Sequence, residues 1–174
     1  YKRQTLNTNH NLAELKAIND ASSGTLTLHT GAKSVALAGD TADIKAAVAG
    51  LTSYTGDVTI QDTANDVILA SDINTIDTSA TGTITIDNQI VLKGNSDVVQ
   101  TALAAVTNTG QAKITLDDAH TLPELKAINN ATDGAITLNT KTVTLTAGIY
   151  YWYVTSKDDK GNHSQSGVYK FTIK

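Results

Sequence analysis

The stretch Leu12-Ala-Glu-Leu-Lys-Ala-Ile-Asn-Asp-Ala-Ser-Ser-Gly-Thr-Leu-Thr-Leu28 returns without a gap as Leu122-Pro-Glu-Leu-Lys-Ala-Ile-Asn-Asn-Ala-Thr-Asp-Gly-Ala-Ile-Thr-Leu138, with eleven of seventeen positions identical. A match of that density within 174 residues marks an internal repeat. Three weaker copies lie between the two: TADIKAAVAGLTSYTGDVTI at 41–60, SDINTIDTSATGTITI at 71–86 and SDVVQTALAAVTNTGQAKITL at 96–116. Each runs from a polar starter through an apolar stripe and a glycine (Gly24, Gly56, Gly82, Gly110, Gly134) into an alternating strand.

Within a unit the local signals agree. Leu12, Leu15 and Ile18 recur at helical spacing, as do Leu122, Leu125 and Ile128, with Glu and Lys between them. Thr41, Ser71, Ser96 and Thr121 stand where an N-cap oxygen is expected, and Pro123 sits in a first turn, where its missing donor costs little. The glycine that closes each stripe reads as a left-handed helix exit. Beyond it the period changes to two, as in Thr25-Leu-Thr-Leu28 and Thr83-Ile-Thr-Ile86, which places Leu or Ile inward and Thr outward. Second strands are expected at 35–37, 67–69, 90–92 and 143–145, whereas the fourth unit passes from Leu116 almost directly to Leu122. A helix of about ten residues is marginal alone, and so is an isolated strand pair. Each stripe therefore needs a neighbouring unit. The expected fold is an α/β solenoid of about five units over 12–147, with parallel sheets, a short extension at 1–11, and an antiparallel hairpin at 148–174. A compact α/β globule is the competing arrangement.

Composition suits thin stacked layers. Hydrophobic residues make up 40% of the chain, enough for a core, yet it holds one Phe, one Trp and no Met. Thr occurs 28 times, which favours strands. The net charge is −4 with charges scattered singly, so no basic patch is present to neutralise a nucleic-acid backbone. No apolar run reaches membrane-spanning length, so membrane insertion is not expected. Cysteine is absent, which removes disulfides and thiolate chemistry and fits secretion as well as cytosol. The sequence opens at Tyr1 in mid-pattern and reads as a piece of something longer.

The last segment differs. Ile149-Tyr-Tyr-Trp-Tyr-Val-Thr155 gathers four of the seven Tyr and Trp residues into one strand, and Gly167-Val-Tyr-Lys-Phe-Thr-Ile173 answers it across a polar turn. This hairpin resembles the last two strands of bacterial immunoglobulin-like domains, which implies one inward set of Tyr150, Trp152 and Val154 facing Tyr169, Phe171 and Ile173. Those six residues are the expected assembly interface, either capping the array or completing another chain by strand addition. The L-x-E-L-K-A-I-N and T-A-D-I repeats themselves resemble tandem repeats of very large secreted or cell-surface proteins of marine cyanobacteria. That resemblance implies a surface or filament role and carries no enzyme activity with it; stacked units and the 148–174 hairpin lead to the expectation of an extracellular spacer associating head to tail, with no catalytic residues, metal or cofactor.

Sequence patterns for chemistry are sparse. His10, His29, His120 and His163 lack metal-ligand spacing and read as surface loop residues. No nucleophile elbow, phosphate loop or dinucleotide fingerprint occurs. Asp117-Asp118 and Asp158-Asp159 lie in oxygen-rich turns of the kind calcium prefers, but neither continues into a calcium motif, and solvated turns are the default reading. The T-x-T strands (Thr25/Thr27, Thr83/Thr85, Thr142/Thr144/Thr146) suggest a hydroxyl array that would bind ice or carbohydrate, with a plain outward-facing strand as the bland counterpart.

Overall fold

A computed structural model describes residues 4–6, 9–22, 26–51, 53–109, 111–139, 143–145, 147–152, 155–157, 163–165 and 167–173. In chain order the elements are β1 (Gln4–Leu6), α1 (Leu12–Asp20), β2 (Leu26–Leu28), α2 (Thr30–Lys33), β3 (Leu37–Gly39), α3 (Thr41–Val48), β4 (Val58–Ile60) and β5 (Val67–Leu69). They continue with α4 (Ala70–Ser79), β6 (Ile84–Ile86), β7 (Val91–Gly94), α5 (Ser96–Ala105), β8 (Val106–Asn108), β9 (Lys113–Leu116), β10 (His120–Thr121), α6 (Leu122–Ala131), β11 (Ile136–Leu138) and β12 (Val143–Thr144). Four short strands close the chain: β13 (Gly148–Trp152), β14 (Thr155–Lys157), β15 (His163–Gln165) and β16 (Tyr169–Ile173).

Two four-stranded parallel sheets alternate with the helices. One has the order β3-β4-β6-β8 and the other β11-β9-β7-β5. Three successive units, starting at α3, α4 and α5, each send one strand into the first sheet and the next into the second. Smaller parallel pairs, β1-β2 and β10-β12, flank them. The helices form a row in which α1 packs on α3, α3 on α4, α4 on α5 and α5 on α6. The Leu12 and Leu122 segments thus pack on different neighbouring helices. Connected parallel strands need crossover segments, and the short amphipathic helices supply them.

The alternating pattern explains the interior. Leu26/Leu28, Val58/Ile60 and Ile84/Ile86 are buried, with the intervening Thr half-buried. Ile68, Leu92 and Ile114 stand in register across the second sheet and are buried as well. Burying each such side chain contributes about 1.5–3 kcal/mol. Together they form one continuous cluster from Leu15 to Ile128.

Several local expectations are corrected. The strands that follow the helices do not make one stack: β4 and β6 lie in the first sheet, β9 and β11 in the second. The unpredicted β8 is the reason. It occupies the position beside β6, with Val106 opposite Ile84, and displaces β9 to the second sheet. The fourth unit is therefore not short of a strand, and β10 supplies a further two-residue one. The 72–80 segment, degenerate in sequence, forms most of the regular helix α4.

Thr41 and Ser96 begin their helices rather than capping them, and Ser71 lies inside α4. Aspartates in the turns after β4 and β9 do the capping. Asp62 accepts from the Thr41 backbone N–H at 2.9 Å and its hydroxyl at 2.5 Å, and Asp118 accepts from the Ser96 N–H at 2.9 Å. Thr121 does cap α6, in a capping box with Glu124, and Asn11 with Glu14 does the same for α1. Nor are Gly56, Gly82 and Gly134 left-handed exits; the left-handed glycine after α3 is Gly50, at φ 69°. A Cβ on Gly56 would collide with the Val35 carbonyl, one on Gly82 with the Gly56 carbonyl, and one on Gly134 with the Ala112 carbonyl. These glycines are required by backbone passing over backbone between units. Gly24 and Gly110 lie outside the described residues.

Candidate assembly surface

The C-terminal hairpin is an antiparallel pair in the register Tyr150↔Phe171 and Trp152↔Tyr169, with Gly148 opposite Ile173. Side chains alternate across a strand, so Tyr150, Trp152, Tyr169, Phe171 and Ile173 share one face. Ring stacking holds it: Tyr150 lies 5.5 Å from Phe171 and Trp152 lies 4.7 Å from Tyr169 between centroids. Each such pair is worth about 0.5–1.5 kcal/mol beyond its buried area. Five of the six expected interface residues are thereby brought together; Val154 lies outside the described residues. The face is open: Trp152 is 48% exposed and Tyr169 52%. On the other face Tyr151 is exposed too. β13 and β16 make their main contacts with each other.

A second open surface was missed at the sequence level, although the strongest repeat contains the signal. The two copies of the 17-residue unit are an internal control for burial. In the first copy Leu15, Leu26 and Leu28 are buried, while their counterparts Leu125, Ile136 and Leu138 are only partly so; Ile18 and Ile128 are reversed, the second being buried where α6 packs on α5. Asn19 donates to the carbonyl of Ala46 in α3 at 2.7 Å and to that of Ala49, just past the helix, at 2.9 Å; its counterpart Asn129 is exposed. Leu122 is 47% exposed. The residues are nearly the same, so the difference lies in the neighbour: α3 covers α1, and no described helix covers the corresponding side of α6.

The histidines follow the same logic, and two depart from the surface-loop expectation. His10 and His120 are buried, and they occupy equivalent positions two residues before their helices. His10 Nε2 lies 3.2 Å from the Tyr54 hydroxyl, which donates to the Val35 carbonyl at 2.5 Å. Burial pushes the Tyr54 phenol up to about 12. His120 Nδ1 lies 3.2 Å from the Asp118 carbonyl and can donate to it, while its buried Nε2 has no partner among the described residues. His29 is exposed and caps α2, and the His163 side chain lies outside the described residues.

No protein-family model, curated protein or solved structure matches the chain.

Among the described residues, no three His, Asp or Glu side chains converge as a metal site, and no helix is long and apolar enough to cross a membrane. Asp117, one of the candidate calcium residues, accepts from Asn139 at 2.6 Å and pairs with Lys93 at 3.6 Å, and Asp118 is committed to Ser96. Asp158 and Asp159 lie outside the described residues. Of the threonine rows, Thr59 and Thr85 stand side by side with their hydroxyls 3.4 Å apart, flanked in the sheet by Ala38 and Asn108. Thr115 and Thr137 continue a row that begins with Leu69 and Lys93. Thr25, Thr142 and Thr146 lie outside the described residues.

Two further carboxylates are tied between or within units. Asp57 is held below its ordinary range chiefly by the Thr83 hydroxyl, then by the Thr83 backbone N–H. Glu124 is held down chiefly by the Thr121 backbone N–H, then by its hydroxyl. Both carboxylates are held by hydrogen bonds to threonine.

Proposed function

We propose that this chain is a structural module of an extracellular surface protein, an α/β solenoid of about five units that serves as a spacer and self-assembles head to tail without catalysis. What carries the reading is the contrast between the two copies of one unit: Leu15, Leu26 and Leu28 are buried in the first and their counterparts only partly so in the last, and the hairpin's aromatic face is open as well. Exposed apolar surface of this kind marks an interaction site. Stacked units extend length with every contact made to a neighbour, which suits a spacer. The resemblance of the repeats to those of large cyanobacterial surface proteins supports the location and the filament role.

The test is deletion of residues 148–174 followed by light scattering. The parent is expected to grow in mass with concentration and the truncated chain to stay small. An unchanged mass distribution after deletion would defeat the role given to the hairpin.

A further inference from the structure

We infer that the outer edge of β12 is built to pair, in parallel, with the outer edge of β1 on a second copy of this chain. The inference rests on the self-assembly reading above and names the contact that reading leaves open.

The two edges are complementary because they belong to one repeating sheet pattern. The first end of the chain repeats its interior: β1 pairs with β2 as Gln4↔Leu26 to Leu6↔Leu28, and β9 pairs with β11 as Ile114↔Ile136 to Leu116↔Leu138. The offset is 110 on both sides, so β1 occupies the place of β9. Inside the chain the other edge of β9 is filled by β7, through Leu92↔Ile114 and Lys93↔Thr115. Among the described residues nothing fills that edge of β1.

The last strand repeats β7. His120 stands two residues before the start of α6 and pairs with Val143, as Ile68 stands two residues before α4 and pairs with Leu92. Both His120 and Ile68 are buried, so the inward parity agrees. β12 therefore has the place of β7, and among the described residues its other edge is unpaired. Combining the two equivalences sets Val143 opposite Gln4 and Thr144 opposite Thr5 of the next copy.

Donor directions follow from the same positions. Lys113 N–H donates to the Ile90 carbonyl and Asp117 N–H to the Gly94 carbonyl, so by alternation Thr115 also faces β7, and Thr5 faces outward. Val91 N–H donates to the Asp66 carbonyl across β5, so Leu92 faces β9, and Val143 faces outward. An occupant identical to the missing strand is the best match for such an edge. The aromatic hairpin follows β12 directly in sequence, starting at Gly148.

Proline removes a donor and is tolerated on an edge, so it blocks one side of one strand. Thr5→Pro and Val143→Pro are each expected to sediment as monomers at concentrations where the parent forms chains. Mixed one to one, they should form dimers and nothing larger, because each variant retains the edge the other lost. Urea midpoints unchanged from the parent confirm that each variant is folded. As a second measurement, Thr5→Cys mixed with Thr144→Cys should give a disulfide dimer on mild oxidation, since the chain has no other cysteine. If both proline variants assemble like the parent, or the mixture stays monomeric with no cross-link, the edge pairing is wrong. If that happens while hairpin deletion still abolishes assembly, the module reading survives without it; a parent that never assembles overturns both.

Discussion

Leu15 and Leu125 are one residue in two copies of one unit, and replacing each by alanine separates neighbour contact from local propensity. Leucine and alanine both favour helix, so intrinsic propensity cancels. Leu15 is fully buried against the next unit. Its truncation should cost about 3 kcal/mol, the transfer term plus the cavity left in a layer that cannot collapse. Leu125 is only partly covered, and losing what it buries should cost about 1 kcal/mol. With a urea slope of about 2 kcal/mol per molar, the midpoints should fall by roughly 1.5 M and 0.5 M respectively. The measurement is far-UV circular dichroism in urea, at dilutions where the chain does not associate. Repeat arrays can unfold unit by unit, so Leu125→Ala is also expected to broaden the early part of the transition. Equal midpoint shifts for the two variants would refute the claim that the last unit stands uncovered.

Two other outcomes follow from the same contacts. Gly82→Ala drives a methyl into the Gly56 carbonyl, a backbone atom that cannot step aside, so it should lower the melting temperature by several degrees; Gly167→Ala, which meets nothing, should not, and differential scanning calorimetry distinguishes them. In pH titrations the acid and alkaline limbs have separate causes. Asp57 and Glu124 have folded values below their ordinary 3.8 and 4.5, so their contribution is complete above those values and is lost as pH falls through the lower folded ones. Tyr54 is raised from 10.0 to about 12, so its contribution is complete below pH 10 and disappears as pH rises toward 12. Tyr54→Phe should remove the alkaline limb while leaving the acid one, as followed by circular dichroism.

What the sequence revealed and what it hid divide along a physical line. Leu12/Leu15/Ile18, the cap at Thr121 and the Thr-x-Ile strands are local patterns, decided within a few residues, and the helices and first strands were legible from them. β8 was hidden because Val106-Thr-Asn108 follows α5 with no glycine or turn signal between. The caps of α3 and α5 were hidden because Asp62 and Asp118 lie 21 and 22 residues from the residues they hold. Gly56 and Gly82 carry an ambiguous letter: glycine serves both left-handed turns and close crossings, and only the neighbour's carbonyl decides. His10 and His120 looked like loop residues because their burial depends on which unit lies above. The aromatic face of the hairpin was legible from alternation, apart from the part of it that falls on Val154.

The borrowed caps have a consequence for how such a chain can change length. α1 and α6 carry their own boxes, whereas α3 and α5, whose first residues Thr41 and Ser96 are 55 apart, draw theirs from the strand turn that follows. Donor and acceptor lie in the same unit in both cases, Thr41 with Asp62 and Ser96 with Asp118, so excising a whole unit removes both together. A cut made between helix and strand turn would instead strand the helix start, at about 1 kcal/mol in lost stability. Duplication or loss should therefore be tolerated only where the break falls ahead of a helix.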